Sequence, residues 1–330
     1  MNITIKDVAK ELGVSYSSIS RALNGKEGVS EETRQRIVAA AERMGYQPNE
    51  LARGLVNRIS NTVGVIIPDI LNPYFGEIVN GIIEAAKQKG YNIFLCTSGW
   101  NGDTESEYLK ILRQKRVDGI IIKPADYSRD MAYDTITTPM IIIDRQEDGE
   151  IHNKVGVDNE QGGYIATRHL LERGYRHPVF IIGQEDNYSS SQRLVGAERA
   201  LKEFGLTLEK NRVAEGWFTI EGGRVAAARL FNSGIEIDSV FGINDLIALG
   251  VLQYCNENGL SVPEDVGVIG FDDISYAALP QIQLTTIHQP KHQLGRLLFE
   301  TLYKEIKGFE GQEQTKIRLE PQLVIRKTTR

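Results

Sequence analysis

Seven short apolar runs between Val63 and Phe271 constrain the fold of this chain more than any other feature. They read VGVIIP (63–68), NIFLC (92–96), GIIIKP (119–124), MIIID (140–144), VFIIG (179–183), SVFGIN (239–244) and VGVIGF (266–271). A nearly unbroken apolar run of this length, rich in Val and Ile, is what a parallel strand covered on both faces requires. Between the runs lie stretches with helical apolar spacing, for example 75–89 and 161–173. Strand and helix in alternation predict a doubly wound α/β arrangement of parallel sheets. The span 61–330 is too long for one such sheet, so two lobes are expected.

The composition is that of an ordinary globular protein, with 25% charged and 41% hydrophobic residues. Its charge is uneven. The first sixty residues hold nine Lys and Arg against seven Asp and Glu, a net of +2; the remainder holds 29 against 37, a net of −8. A small basic head on an acidic body is expected. The two cysteines, Cys96 and Cys255, lie in apolar surroundings and show neither disulfide nor metal spacing. The N-terminus lacks the apolar stretch of a signal peptide, and no apolar run approaches the ~18 residues of a membrane span. A soluble, cytoplasmic protein with no cofactor and no metal is expected.

The head reads as three helices. Thr4 can cap the first, with Asp7 placed to favour the helix dipole, and Val8, Ala9 and Leu12 recur at helical spacing. Gly13 ends it, and Ser15 can cap the second. VSYSSISRALNG (14–25) carries five hydroxyl side chains and one Arg, and its inward stripe is only Ile19 and Leu23. Tyr16 and Ser20 share one outward face, Ser17 and Arg21 another. A third helix starts at Ser30-Glu31-Glu32, turns Ile37, Ala40, Ala41 and Met44 inward, and ends at Gly45. Two short helices joined by a tight turn and backed by a third describe a helix-turn-helix unit. A merely solvated helix would favour Glu, Lys or Ala over Ser, a poor helix former. Small hydroxyls on a narrow polar helix suit base edges in the major groove, and a guanidinium suits guanine or phosphate.

TIKDVAKELGVSYSSISRALNG (4–25), VSEETRQRIVAAAERMGYQPN (29–49), LARGL (51–55) and LTTIHQPKHQLG (284–295) follow one another along the chain. With these motifs the whole chain resembles the lactose-repressor/galactose-repressor (LacI/GalR) family of bacterial transcription regulators. The resemblance implies a DNA-binding domain over 1–47, a hinge over 48–60, and a two-lobed effector-binding and dimerisation domain over 61–330. It implies lobe 1 over about 61–161 and 290–322, and lobe 2 over about 162–289 and 323–330. Candidate DNA contacts are Thr4, Ser15, Tyr16, Ser17, Ser20, Arg21 and Asn24 in the head, with Asn49, Ala52, Arg53 and Leu55 in the hinge. In the family, the segment matching 49–58 is a helix in the minor groove, and the residue matching Leu55 wedges between base pairs. Ten residues that include Gly54 are too few for a stable isolated helix, so the hinge should form only against DNA and a partner chain. The competing reading packs Leu51 and Leu55 onto the body.

Ligands of α/β sheets bind beyond the carboxyl ends of the strands. Polar and aromatic residues follow several runs: Asn72, Tyr74 and Phe75 in LNPYF, then Asp144-Arg145, Arg193 in SSSQR, Asn244 before Asp245, and Phe271-Asp272. Each alone is equally explained as a helix cap, the reading favoured for Asp245. Together with Phe218 and Gln289 they suit a polyol. Carboxylates accept from hydroxyls, amides and guanidinia donate, and aromatic rings cover C–H faces. Asp144 and Asp272 balance Arg145 and Arg193, so a neutral ligand is expected rather than a phosphate. The set also resembles that of ribose-binding periplasmic proteins, which implies a pentose or similar monosaccharide. Purine-binding family members usually carry Trp after the Asp of the fourth strand, where this chain has Arg145.

An enzyme is not expected. The chain has no G-x-S-x-G elbow and no P-loop, and its five His are scattered. A free sugar-transport protein would need a signal peptide and would lack the helix-turn-helix. A purine, nucleotide or phosphoprotein effector on the same fold stays open, and so does the sign of the response, with an inducer favoured over a corepressor. A single helix-turn-helix reads few bases, so a homodimer on a pseudo-palindromic operator is expected. The tail IRKTTR adds no leucine heptads, which favours a dimer over a tetramer.

Overall fold

The computed structural model describes residues 3–23, 27–46, 59–125, 133, 136–144, 154–184, 187–308 and 316–330. Two compact units divide after Ser60.

In the first unit, α1 (Ile5–Leu12), α2 (Tyr16–Leu23) and α3 (Glu31–Arg43) close over Val8, Ile19, Ala22, Ile37 and Ala41. Local chemistry sets the ends of these helices. Thr4 donates its backbone N–H and its hydroxyl to Asp7 Oδ2 at 2.8 and 2.7 Å. Gly13 ends α1 at a φ of 64°, the left-handed C-cap conformation that glycine takes without strain. Ser15 Oγ accepts the Ser18 N–H at 3.1 Å and Ser30 Oγ accepts the Thr33 N–H at 3.3 Å, opening α2 and α3. The buried stripe of α2 is Ile19 and Ala22, while Leu23 is half-buried.

The second unit holds two parallel sheets. β1 (Thr62–Ile67), β2 (Asn92–Thr97), β3 (Gly119–Ile122), β4 (Met140–Ile143), β5 (Lys154–Val157) and β11 (Lys316–Leu319) form the first, in the order β11-β5-β4-β3-β1-β2. β6 (Pro178–Ile182), β7 (Val213–Glu215), β8 (Ser239–Gly242) and β9 (Gly267–Ile269) form the second, in the order β7-β6-β8-β9. The first sheet is layered with α4 (Pro73–Gln88), α5 (Gly102–Gln114) and α10 (Lys291–Ile306). The second is layered with α6 (Asn159–Glu172), α7 (Tyr188–Glu203), α8 (Ile220–Phe231) and α9 (Asp245–Glu257). β10 (Thr286–His288) pairs antiparallel with β12 (Gln322–Val324). The chain passes between the sheets three times: from β5 to α6, from β10 to α10, and from β11 to β12.

One apolar run differs from its expected environment. NIFLC becomes β2, yet Phe94 is 50% and Leu95 40% exposed. Successive strand residues face opposite sides of a sheet, so both faces of β2 stay partly open. Its place at the margin of the sheet order is the reason. Cys96, in the same strand, is only half-buried, whereas Cys255 on α9 is buried; both are free thiols. Among the described residues, no helix is long and apolar enough to cross a membrane.

Candidate operator interface and effector cleft

On α2, Tyr16 is 55% exposed, and Ser17 and Arg21 are exposed beside it. Ser15 is engaged locally: besides capping the helix, its Oγ lies 2.8 Å from Ser17 Oγ and 2.9 Å from Ser18 Oγ. The Thr4 hydroxyl is likewise committed to Asp7, and Ser20 is half-buried. Arg34 of α3 donates from Nη1 to the Ala22 carbonyl at 3.2 Å, which ties the end of α2 to its support. Asn24, Asn49, Ala52, Arg53 and Leu55 lie outside the described residues.

In the second unit, the carboxyl ends of the two sheets face each other. Lys123, directly after β3, is buried; its ammonium donates to Asp144 Oδ2 at 2.9 Å and, across the lobe boundary, to Ser189 Oγ at 2.7 Å. Ser189 Oγ in turn donates to Asp144 Oδ2 at 3.2 Å. Burial pushes the Lys123 ammonium below its usual value, with the Asp144 charge opposing. Burial would raise the Asp144 carboxyl, but the charge and hydrogen bond of Lys123 hold it below the usual carboxylate range. The Asp144 carboxylate also accepts the Val157 N–H at 3.1 Å, and its backbone φ is 51°.

Arg193 and Asp272 form a second buried cluster. Arg193 Nε donates to Asn159 Oδ1 at 2.8 Å, and Nη1 donates to the Ile243 carbonyl at 2.5 Å. The guanidinium carbon stands 3.6 Å from the centroid of Phe271, and Nη1 lies 3.8 Å from Asp272 Oδ1. Gln289 Nε2 donates to the same oxygen at 2.6 Å, while Gln289 Oε1 accepts from the Tyr74 hydroxyl at 3.2 Å. Burial pushes the Asp272 carboxyl up to about 6, against Arg193, Lys291 and Gln289. Asp272 and Asp273 both have left-handed backbone, at φ 115° and 52°. Lys291 Nζ holds that turn by donating to their carbonyls at 2.8 and 2.7 Å.

Aromatic rings line the margin of the cleft. Phe75 meets Tyr74 and Trp100 edge-on, at centroid distances of 5.0 and 6.1 Å. Trp100 stacks on Phe218 of the opposite lobe at 4.4 Å, with the planes 12° apart. A Cβ on Gly183 would come within 1.9 Å of the Phe218 ring, so only glycine lets that ring settle at the end of β6.

The structure thus gathers Asn72, Tyr74, Phe75, Asp144, Arg193, Phe218, Asn244, Phe271, Asp272 and Gln289 at the facing strand ends, while Arg145 lies outside the described residues. Two of them are helix caps: Asn72 Oδ1 accepts the Tyr74 N–H at 3.0 Å and Asn244 Oδ1 accepts the Ile247 N–H at 2.9 Å. The cap expected of Asp245 is provided by Asn244. Asp245 is instead fully buried, accepting from the Ile274 N–H at 2.8 Å and the Thr286 hydroxyl at 2.5 Å. Burial, and then the neighbouring Asp272 charge, raise its pKa well above the carboxylate range. Sequence reasoning missed Lys123, Trp100, Ser189 and Lys291. Lys123 had a readable mark, a charge placed against an apolar run at a strand's carboxyl end. Trp100 had none, because its partner is 118 positions away. Among the described residues, no group of three His, Cys, Asp or Glu is placed to hold a metal ion.

Comparison with known proteins agrees with both halves of this picture. Residues 4–49 match the model of bacterial regulatory proteins of the lacI family, and residues 60–327 match that of periplasmic binding proteins and the sugar-binding domain of the LacI family. The HTH-type transcriptional repressor PurR of Photobacterium profundum is 32% identical over 331 residues, covering 99% of this chain and 98% of that protein. The crystal structure of the lac repressor dimer bound to operator and the anti-inducer ONPF superposes with a TM-score of 0.87 at 26% identity, covering 100% of this chain and 99% of that one. A LacI family regulator from Enterococcus faecium with bound ribose gives a TM-score of 0.72 at 29% identity, covering 81% of this chain and 98% of that one. A helix-turn-helix head, a two-sheet body with a polar cleft, and matches along nearly the full length lead to one conclusion: the chain belongs to the LacI family and is a DNA-binding transcriptional regulator.

Proposed function

We propose that this regulator represses transcription as a homodimer, and that a neutral monosaccharide of pentose size, bound between the lobes, controls its operator affinity. The observation that carries the choice of effector is the matched charge of the cleft. Lys123 is paired with Asp144 and Arg193 faces Asp272, all four buried. A charged ligand would bring an unmatched charge into that setting, whereas hydroxyl groups can insert as donors and acceptors. The aromatic rings of Tyr74 and Phe75 add apolar surface for C–H groups. The relative with bound ribose supports this reading. The exposed apolar pair Phe94 and Leu95 on β2 supports a partner chain along that margin. For operator contacts the reading relies on Tyr16, Ser17 and Arg21, which α2 exposes, together with the hinge candidates.

A second reading assigns a purine as effector, and the relatives named PurR favour it. Titration calorimetry separates the two, using D-ribose, D-xylose, D-glucose, adenine and guanine against the full chain. A pentose is expected to bind. A ligand at 100 times its Kd raises unfolding stability by ~2.7 kcal/mol, so thermal shift gives an independent check. Binding of a purine base with no response to any sugar would replace the first reading with the second.

A further inference from the structure

Beyond the strand ends of the first sheet, residues follow the sheet order: Asp144 after β4, Lys123 after β3, Tyr74 after β1 and Trp100 after β2. Beyond those of the second the order is Phe218 after β7, Ser189 after β6, Asn244 after β8 and Asp272 after β9. Contacts join the two rows at different depths. Lys123 reaches Ser189 between interior strands, and the Trp100–Phe218 stack joins β2 to β7, which are marginal strands in both sheets. The three crossings leave from the other margins. β5 and β11 close the far side of the first sheet, and the segment containing β10 bridges to β9 through Ile269–Thr285 and Asp272–His288. The ring stack therefore stands at the margin opposite the crossings, where a rotation of one lobe about them produces the largest displacement.

Backbone geometry marks the same spot. Trp100, Trp217 and Phe218 have φ values of 59°, 53° and 57°, a left-handed conformation uncommon in large side chains. Such conformations persist where the surroundings over-determine them, and they cluster at ligand clamps. Here Phe218 is seated against Gly183, and Trp100 is held edge-on by Phe75.

We infer that Trp100 is a specificity-determining residue of the cleft: stacked on Phe218, it clasps the two lobes at the mouth and admits only molecules that fit between this pair and the Lys123–Asp144–Ser189 cluster. The inference rests on the reading that the effector binds between the lobes. The clasp limits effector size and slows effector escape. On this inference a monosaccharide is retained behind the closed pair, whereas the second ring of a disaccharide has to part it.

Three variants of the full chain test this: Trp100→Ala, Trp100→Leu, which keeps an apolar side chain without a stacking face, and Trp100→Phe, which restores a ring. X-ray scattering without sugar reads lobe opening. Stopped-flow mixing reads D-ribose dissociation, and calorimetry reads cellobiose binding. A stacked pair accounts for roughly a two- to tenfold change in a rate or equilibrium. Trp100→Ala and Trp100→Leu are expected to increase the radius of gyration, speed D-ribose release by that factor and admit cellobiose, while Trp100→Phe stays near the parent. An unchanged radius of gyration in Trp100→Ala and Trp100→Leu overturns the clasp, as does exclusion of cellobiose by both at unaltered D-ribose dissociation. If the parent chain binds no sugar, the effector reading fails while the scattering comparison still decides the clasp.

Discussion

Asp272 carries a carboxyl group that the fold removes from water and surrounds with Arg193, Lys291 and Gln289. Its pKa is nevertheless raised to about 6 from 3.8, because desolvation outweighs the attraction of its neighbours. Between those two values the folded chain binds a proton that the unfolded chain has released. This group's contribution to stability is therefore fully present below pH ~4, is lost as the pH rises towards ~6, and stays lost above it. The shift corresponds to a contribution on the order of 3 kcal/mol. In Asp272→Asn the term vanishes. The fall in unfolding free energy between pH 4 and pH 7, measured by urea titration, should be smaller in the variant than in the parent by up to that amount. Identical pH profiles would mean that Asp272 is ionised without penalty, and hence better solvated than its burial indicates.

At the scale of the element, α2 combines a weak helix-forming sequence with strong external support. Its Ser-rich surface contributes little propensity. Instead, Ser15 caps the helix, Ile19 and Ala22 anchor it, and Arg34 clamps its last turn. Helical stability is thus delegated to the cap and the core, and the outward residues carry little of it. Arg21 is exposed on that surface, so Arg21→Ala should leave the melting temperature of the chain nearly unchanged. If Arg21 contacts a base, its loss should weaken operator binding by ~1–3 kcal/mol in a gel-shift titration at fixed salt. Unaltered affinity would remove Arg21 from the interface.

Across the whole molecule, the proposed regulation requires the cleft to be felt by the head. The polypeptide enters the body at Thr62, the first residue of β1, and Asn72 and Tyr74 follow the end of the same strand. One strand therefore runs from the linker to the cleft. Coupling between two such sites is typically 1–3 kcal/mol, about 5–150-fold in affinity. Arg193 touches Asn159, Ile243, Phe271 and Asp272 at once, which places it at the centre of the second buried cluster. Arg193→Ala should bind operator normally without effector and lose the response to the effector identified by calorimetry. It should also lower the stability of the body, since Asp272 loses its facing cation. A variant responding with the parent's sensitivity would locate the effector site elsewhere.

Periodicity and residue type were enough to mark β1, β3, β4, β6, β8 and β9 as buried strands and α1 to α3 as a helix-turn-helix, because each pattern depends only on neighbours a few residues away. The same local chemistry identified the ends of α1 and α2 at Thr4, Gly13 and Ser15. Phe94 and Leu95 were misjudged, since nothing within NIFLC tells a central strand from a marginal one; the order of strands in the sheet settles that. Asp144, Arg193 and Asp272 were readable as strand-end polar residues, but not the partners that hold them. The ion pair of Lys123 with Asp144, the bridge to Ser189 and the stacking of Trp100 on Phe218 join residues 21, 66 and 118 positions apart. Only the closure of two sheets against each other brings such residues within hydrogen-bonding or stacking distance. Burial in that interface, not residue type alone, then decides which of their charges persist.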